Sequence, residues 1–432
     1  MNQEWRNIMD YSNEQLRALA REFCPAGLDK DPVPLGNGHI NDTFLFESEG
    51  RSHVLQRINR NVFREPEKVM ENFQRVTEHI RQKVAREGGD PEKETLRLNL
   101  AQDGKPYTFD ENGDLWRSYA FVKDTVTYER TDDPALFREI RELVRLGKWH
   151  IMGGWHVQPD CNMPSGEAFV RQITEGRRYF REKFGVEPTT AINFDPFGHT
   201  RGLVQILAGT GYDSYIFCRP HEGLCHLPAE TFRWVGYDGS SVIAQRAQTG
   251  YSTALGNAMK KIRPTTEALT DAAPLGFCLW GVGNHGGGPS REDIRAINAF
   301  MEEATAEGVT VLHSTPEAYF ADVRAEAAAG TRVLPEHHGD LTAWAQGCYT
   351  SQVLIKQKYR QTENSLFSAE KAVSHAVLLG LMEYPEKEFG EALYDLLTVQ
   401  FHDVLPGTSI QPAEEGAIRM LDHALELLSR VR

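Results

Sequence analysis

The chain has 432 residues, 40% hydrophobic and 25% charged, which is an ordinary globular composition long enough for two or three domains whose cores need no disulfide staples. A formal net charge of -14 excludes the basic excess that nucleic acid or an anionic membrane would demand, and leaves a small neutral substrate as the better-fitting partner. The N-terminal MNQEWRNIMDYSNEQL lacks a basic-then-apolar leader, no run approaches a membrane span, and the cysteines (Cys24, Cys161, Cys218, Cys225, Cys278 and Cys348) form no CxxC pair, so a cytoplasmic chain with reduced thiols is expected.

Two rhythms divide the chain near residue 140. Before it, TFLFES and SHVLQRI flank the turn EGR, a helix is predicted over 66–84, and the polar stretch 86–104 reads as a loop or hairpin. This describes a small antiparallel sheet carrying a helix. After it the pattern alternates: a helix over 165–184, a strand ending at Phe194, a helix from Arg201, strands at SYIFC, SVIAQR and PLGFCLWGVG, a helix from Ser290, and a strand at VTVLHS. Such alternation predicts a parallel sheet or barrel. Ser290 and Asp293 make a capping box, with Ile294, Ile297, Phe300, Met301 and Ala304 as the buried stripe of that helix. From about Tyr349 three helical stretches follow, the second and third separated by Pro406 and Gly407, which predicts a helical bundle.

Polar residues recur where the apolar runs end. Asp195 follows TAINF, Arg219 follows SYIFC, Tyr251 lies beyond SVIAQR, and NHGGGP follows FCLWGVG. Strand ends converge on one face in α/β folds, so the set is a candidate sugar or metal site. Each member also has a plainer reading: Asp195 as the cap of the next helix, Arg219 in an ion pair, the glycines as a turn. In QFHDVLPGTSI, His402 and Asp403 close a helical stretch, where a histidine is ordinarily a favourable charge at the dipole's negative end.

Over residues 143–428 the chain resembles the catalytic part of glycoside hydrolase family 38, the α-mannosidases, through GGWHVQPDCNMPSGEAFVRQ, GRRYFREKFGVEPTTAINFDPFGH, YIFCRP, GVGNHGGGP, GCYTSQ and FHDVLPGTS. The resemblance implies a zinc-dependent retaining hydrolase of α-mannosides. Asp195 would be nucleophile and zinc ligand, His402 a second zinc ligand with Asp403 supporting it, and Arg219, Tyr251 and Trp155 substrate-binding residues. The chemistry suits them: a retaining glycosidase attacks the anomeric carbon with one carboxylate and protonates the leaving oxygen from a second group about 5 Å away. Zinc held by carboxylate and imidazole would grip neighbouring sugar hydroxyls. Two features depart from the family. Its acid/base aspartate is replaced by Asn284, next to His285, and since an amide cannot give up a proton, His285 or another group is expected to serve. Its first barrel strand, with a His-x-Asp pair of zinc ligands, has no counterpart before Leu143, so the zinc site is expected to be incomplete.

Residues 13–140 resemble another family. LGNGHINDTFLF, HVLQRINRNVFREPEKVMENFQRVT and WRSYAFVKDTVTYE look like the N-lobe of N-acetylhexosamine 1-kinase and its aminoglycoside-phosphotransferase-like relatives. Gly36, Gly38 and His39 would then lie in a turn covering nucleotide phosphates, although a plain hairpin turn reads the same. The segment DDPALFREI suits either family and places the junction near 138–143. The expected α/β architecture is a kinase-like α+β lobe (1–140), an incomplete family 38 (β/α) barrel lacking its first strand (141–340) and a three-helix bundle (341–432). The leading function is α-mannosidase-like hydrolysis; an inactive hybrid or sugar-binding remnant is the alternative, with a sugar 1-kinase further off.

Overall fold

The computed structural model describes residues 11–35, 41–60, 63–122, 134–270, 274–283 and 288–431. The chain forms two compact units, Met1–Thr131 and Asp132–Arg432.

In the first unit helix α1 (Asn13–Phe23) opens on a capping box, Ser12 accepting the Gln15 amide while the Gln15 side chain accepts the Ser12 amide. Strands β1 (Lys30–Pro34), β2 (Asp42–Ser48), β3 (Arg51–Arg57), β4 (Leu98–Asn99), β5 (Thr108–Phe109) and β6 (Leu115–Ala120) form one antiparallel sheet in the order β1-β2-β3-β6-β4, with β5 also paired to β6. The predicted EGR turn joins β2 to β3 through Glu49 and Gly50, both at positive φ (51° and 69°), the mirror-image turn whose twist matches that of the strands. Helix α2 (Pro66–Arg86) and a single turn, α3 (Pro91–Glu94), lie between β3 and β4, so the stretch expected as loop or hairpin contributes a short helix and a strand. Leu16, Leu19 and Phe23 of α1 pack with Phe46, Leu55 and Trp116 of the sheet.

The first described element of the second unit is helix α4 (Pro134–Arg145), which takes in PALFREI: Phe137 stacks on Phe184, and the Arg141 guanidinium donates to the Lys183 carbonyl. Its sheet contains β7 (Thr190–Ile192), β8 (Ser214–Phe217), β9 (Thr231–Val235), β10 (Ser241–Arg246) and β11 (Glu336–His337) in the order β11-β9-β10-β8-β7. The pairs β7–β8 and β8–β10 are parallel, as the alternation predicts, and helices α5 (Gly166–Phe184) and α6 (Gly202–Gly209) flank β7 in sequence. The rest departs from expectation. Strand β9 returns antiparallel to β10 through a short turn around Gly239, so the sheet is mixed, and the described strands form an open sheet rather than a barrel.

PLGFCLWGVG and VTVLHS are irregular over their described residues. Their alternation is nonetheless real. Phe277 and Leu279 pack against Ile216, Ile243 and Phe320, whereas Cys278, Trp280, Val309 and Val311 pack against Ile262, Ile297 and Phe300. What they lack is a full ladder partner; only Val282 makes isolated bridges, to Thr253 and Gly288. Helices α7 (Met259–Glu267), α8 (Arg291–Ala306) and α9 (Pro316–Ala328) complete this region. Ser290 caps α8, but the Asp293 carboxylate, besides accepting the Ser290 hydroxyl, takes the Gly256 and Ala258 amides and so anchors the start of α7. Ile297, Phe300 and Ala304 are buried on α8 while Ile294 is only half-buried. Helices α10 (Val353–Leu378), α11 (Glu386–Val399) and α12 (Gln411–Arg430) share one apolar core built on Tyr359, Leu366, Leu396 and Leu421.

Candidate active site

Three parallel strands deliver three side chains to one place. Asp195 lies just past β7, Arg219 just past β8, and Tyr251 in the loop beyond β10. Asp195 Oδ1 accepts the Arg219 guanidinium at 2.7 Å and Oδ2 accepts the Tyr251 hydroxyl at 2.9 Å. Both carboxylate oxygens are thus held, while side-chain exposures of 23% for Asp195 and 34% for Arg219 leave the pair open to a ligand. The helix-cap reading of Asp195 does not hold: α6 starts after Arg201, with no side-chain cap. The ion-pair reading of Arg219 does hold, and its partner is the candidate nucleophile.

Aromatic rings fix the orientation of these groups. The Tyr251 ring stacks on Phe194 at 5.3 Å and 16°, which aims its hydroxyl at Asp195. Burial, and then the adjacent Asp195 carboxylate, push the Tyr251 hydroxyl up to about 12, so it stays protonated and donating at neutral pH. The Arg219 guanidinium lies 5.1 Å from the centroid of Trp344, whose indole stacks on Phe197 and donates to the Pro196 carbonyl.

Behind this surface sits His199, fully buried. Its Nε2 donates to the Arg219 carbonyl at 2.8 Å and its Nδ1 accepts the Tyr215 hydroxyl at 2.7 Å. Burial pushes its pKa down to about 4, so the ring is neutral and serves as a fixed bracket for the Arg219 backbone. Sequence reasoning does not single out His199; its signal is a lone histidine in a glycine-proline turn four residues after Asp195.

A strap, residues 158–161, joins this strand end to the region after α11. The Phe194 amide donates to Gln158 Oε1 at 3.0 Å, and Asn193 Nδ2 donates to the Pro159 carbonyl at 3.0 Å. On the other side the Asp160 amide donates to the Gln400 carbonyl at 2.8 Å, and both the amide and Nδ1 of His402 donate to the Gln158 carbonyl, at 3.2 and 3.0 Å. Phe194, next to Asp195, and His402, some two hundred residues on, are therefore tied to the same residue, Gln158. The carboxylate of Asp160 is fully buried and accepts the Asn162 and Met163 amides and the Tyr349 hydroxyl; burial outweighs these bonds and raises its pKa.

Other predicted residues fall elsewhere. Trp155 is 6% exposed and packs edge-on against Phe169 in the core, so it offers no face to a sugar. Asp403 accepts the Thr408 hydroxyl, and its Oδ2 lies 3.8 Å from His402 Nε2. Asn284 and His285, like Gly36, Gly38 and His39, lie outside the described residues. The base of the segment bearing Asn284 is described: Val282 pairs with Gly288, the Thr253 amide donates to the Gly281 carbonyl, and a Cβ on Gly283 would come within 2.5 Å of Ser252, beside Tyr251.

Among the described residues no three His, Cys, Asp or Glu side chains cluster so as to hold a metal ion. Asp195 already has both oxygens engaged, and His402 offers one nitrogen. Zinc ordinarily takes four ligands, so the described donors do not fit the ion that the resemblance implies.

The model of the glycosyl hydrolases family 38 N-terminal domain matches residues 115–347, more than half of the chain, and that of the alpha mannosidase middle domain matches residues 343–432. The chain belongs to glycoside hydrolase family 38. The family 38 match begins at Leu115, within β6 of the first unit and well before the junction expected near 138–143. Similar relatives include alpha-mannosidase G of Dictyostelium discoideum, 29% identical over 72% of this chain and 29% of the relative, and alpha-mannosidase 2C1 of Mus musculus, 27% identical over 78% of this chain and 33% of the relative. This family 38 chain spans a third or less of the length of either. The crystal structure of an alpha-mannosidase from Enterococcus faecalis V583 superposes with a TM-score of 0.55 at 19% identity, covering 69% of this chain and 35% of that one, and shares its fold.

Proposed function

We propose that this chain carries the site of a retaining α-mannosidase-type glycoside hydrolase acting on small or oligosaccharide α-mannosides. The observation that carries the reading is Asp195, standing at a parallel strand end with one oxygen held by Arg219 and the other by Tyr251. Asp195 attacks the anomeric carbon and forms a glycosyl ester; the leaving oxygen takes a proton as the glycosidic bond breaks, and water then hydrolyses the ester with the same acid acting as base. The proton donor is drawn from the segment that follows Gly283, where His285 is the titratable group and Asn284 is not. Arg219 and Tyr251 orient the attacking oxygen before reaction, and they stabilise the carboxylate again when it leaves the sugar. Free thiols at all the cysteines support a cytoplasmic setting, and no helix among the described residues is long and apolar enough to cross a membrane. For the first unit, the sequence motifs and an antiparallel sheet with α2 inserted between β3 and β4 support a kinase N-lobe-like reading.

The test is hydrolysis of an aryl α-mannoside, with a 2-deoxy-2-fluoro mannosyl fluoride to trap the ester. Turnover by the full chain, its loss in Asp195→Asn, and a mass increase on the peptide containing Asp195 are expected. Equal rates in both proteins, or the label on another residue, refute the assignment. Mannoside binding with no turnover in either favours the sugar-binding remnant.

A further inference from the structure

We infer that Gln158 is the positioning residue for Asp195, and that it acts through its side-chain oxygen. The inference rests on the reading of Asp195 as nucleophile. Strand β7 is the edge of its sheet, paired with β8 alone among the described strands. Successive amides along a strand point to opposite sides. The Asn193 amide donates inward, to the Ile216 carbonyl of β8, so the Phe194 amide points outward from the sheet. An outward amide at an edge has no ladder partner, and here Gln158 Oε1 supplies one at 3.0 Å. The peptide so held joins Asn193 to Phe194, the residue immediately before Asp195. Phe194 also bears the ring on which Tyr251 stacks, so a single hydrogen bond restrains both the residue that precedes the carboxylate and the ring that aims the hydroxyl at it.

Gln158 can impose a position because its own is imposed. Its carbonyl receives two bonds from His402, and the next carbonyl, of Pro159, receives one from Asn193. Pro159 also biases Gln158 to extended backbone, which narrows the conformations open to the strap. The role requires an acceptor of that length and no donor, which separates it from simple packing.

Gln158→Met keeps length and removes the acceptor; Gln158→Glu keeps the acceptor. Misplacement of a reacting group by an ångström costs up to about 100-fold, so Gln158→Met should lower kcat on an aryl α-mannoside by ~10- to 100-fold with KM within about twofold. Gln158→Glu should restore most of that loss. Amide hydrogen exchange at Phe194 should be slow in the wild type and in Gln158→Glu, and at least about tenfold faster in Gln158→Met, with α5 and β8 unchanged. Unchanged protection of Phe194 in Gln158→Met, or equal loss in the Met and Glu variants, overturns the inference. If the wild type does not hydrolyse the mannoside, the reading of Asp195 fails, and exchange at Phe194 still decides whether Gln158 holds that peptide.

Discussion

Replacing Gly176 by alanine sets two known effects against each other. Gly176 lies in the third turn of α5, and glycine in a helix interior is worse than alanine by about 1 kcal/mol, so propensity alone favours the substitution. But a Cβ there would stand 2.4 Å from the Gly154 carbonyl oxygen, 2.4 Å from the Trp155 carbonyl carbon and 2.7 Å from the His156 nitrogen. All three are backbone atoms, and non-bonded contacts prefer about 3.5 Å, so the 154–157 segment or the helix must withdraw by ~1 Å. Two hydrogen bonds cross this contact: the His156 amide to the Gln172 carbonyl and the Val157 amide to Gln172 Oε1, each 3.0 Å long. Overpacking costs about 1–3 kcal/mol and each weakened bond about 1 kcal/mol more, which after crediting propensity leaves a destabilisation of ~2–4 kcal/mol. Gly390, exposed in α11 with nothing within 4 Å of where its Cβ would stand, is the control: Gly390→Ala should stabilise by about 0.5–1 kcal/mol. Urea unfolding followed by hydrogen exchange of peptides covering 154–176 measures both. An unchanged or raised midpoint in Gly176→Ala would show that the segment yields freely, and would refute the close-packed contact.

The remaining substitutions address the site itself. Arg219→Met removes a charged hydrogen-bond donor from Asp195 and a cation from Trp344, and at ~1.5–3 kcal/mol should lower kcat/KM on an aryl α-mannoside by about 10- to 100-fold; an undiminished kcat/KM would remove Arg219 from the site. Tyr251→Phe keeps the stack on Phe194 and loses one hydrogen bond, so a reduction of roughly fivefold is expected at ~1 kcal/mol, and a loss as large as that of Asp195→Asn would contradict a merely orienting role. His199 titrates near 6.5 when unfolded and near 4 when buried, so below pH 6.5 the unfolded chain binds a proton that the folded chain refuses; stability should fall as pH drops from 6.5 to 4, by on the order of 3 kcal/mol, and level off below. His199→Phe should flatten that part of the urea-midpoint profile, and an unchanged slope would show that His199 is not the group responsible.

The legible part of the site is the part carried by single strand ends. Asp195, Arg219 and Tyr251 each follow an apolar run closely enough that knowing the strand locates the residue, and the parallel pairing of β7, β8 and β10 follows from the same alternation. The bridge through Gln158 is not legible, because it joins positions more than two hundred residues apart through a backbone carbonyl, to which no residue type corresponds. Trp155 misleads for a related reason: an indole serves a core or a sugar equally well, and the decision rests with Gly176, whose bare backbone lets the 154–156 segment lie flat on α5 and turns that indole inward. The strand expected at PLGFCLWGVG has the right alternation of buried faces, yet periodicity reports burial and cannot report whether a neighbouring strand is there to pair. Strand β9 is hidden in the same way, its five residues TFRWV defined by the hairpin they make with β10.

The Asp195–Arg219 pair could be an ordinary surface ion pair, and its energetics argue otherwise. With side chains 23% and 34% exposed, such a pair contributes at most about 1 kcal/mol to stability. Around it the fold commits much more than that return would justify. Burying His199 as a neutral ring makes folding weaker in acid, and the ring's Nε2 does nothing for the core that an apolar side chain would not do better; what it holds is the Arg219 carbonyl. Asp160 keeps a carboxylate fully buried against its desolvation, and the segment it shapes is the strap that receives the Phe194 amide and the His402 ring. Buried polar groups that cost stability and brace the backbone of Arg219 and Phe194, the residues beside one half-buried carboxylate, support the reading of Asp195 as the centre of a site.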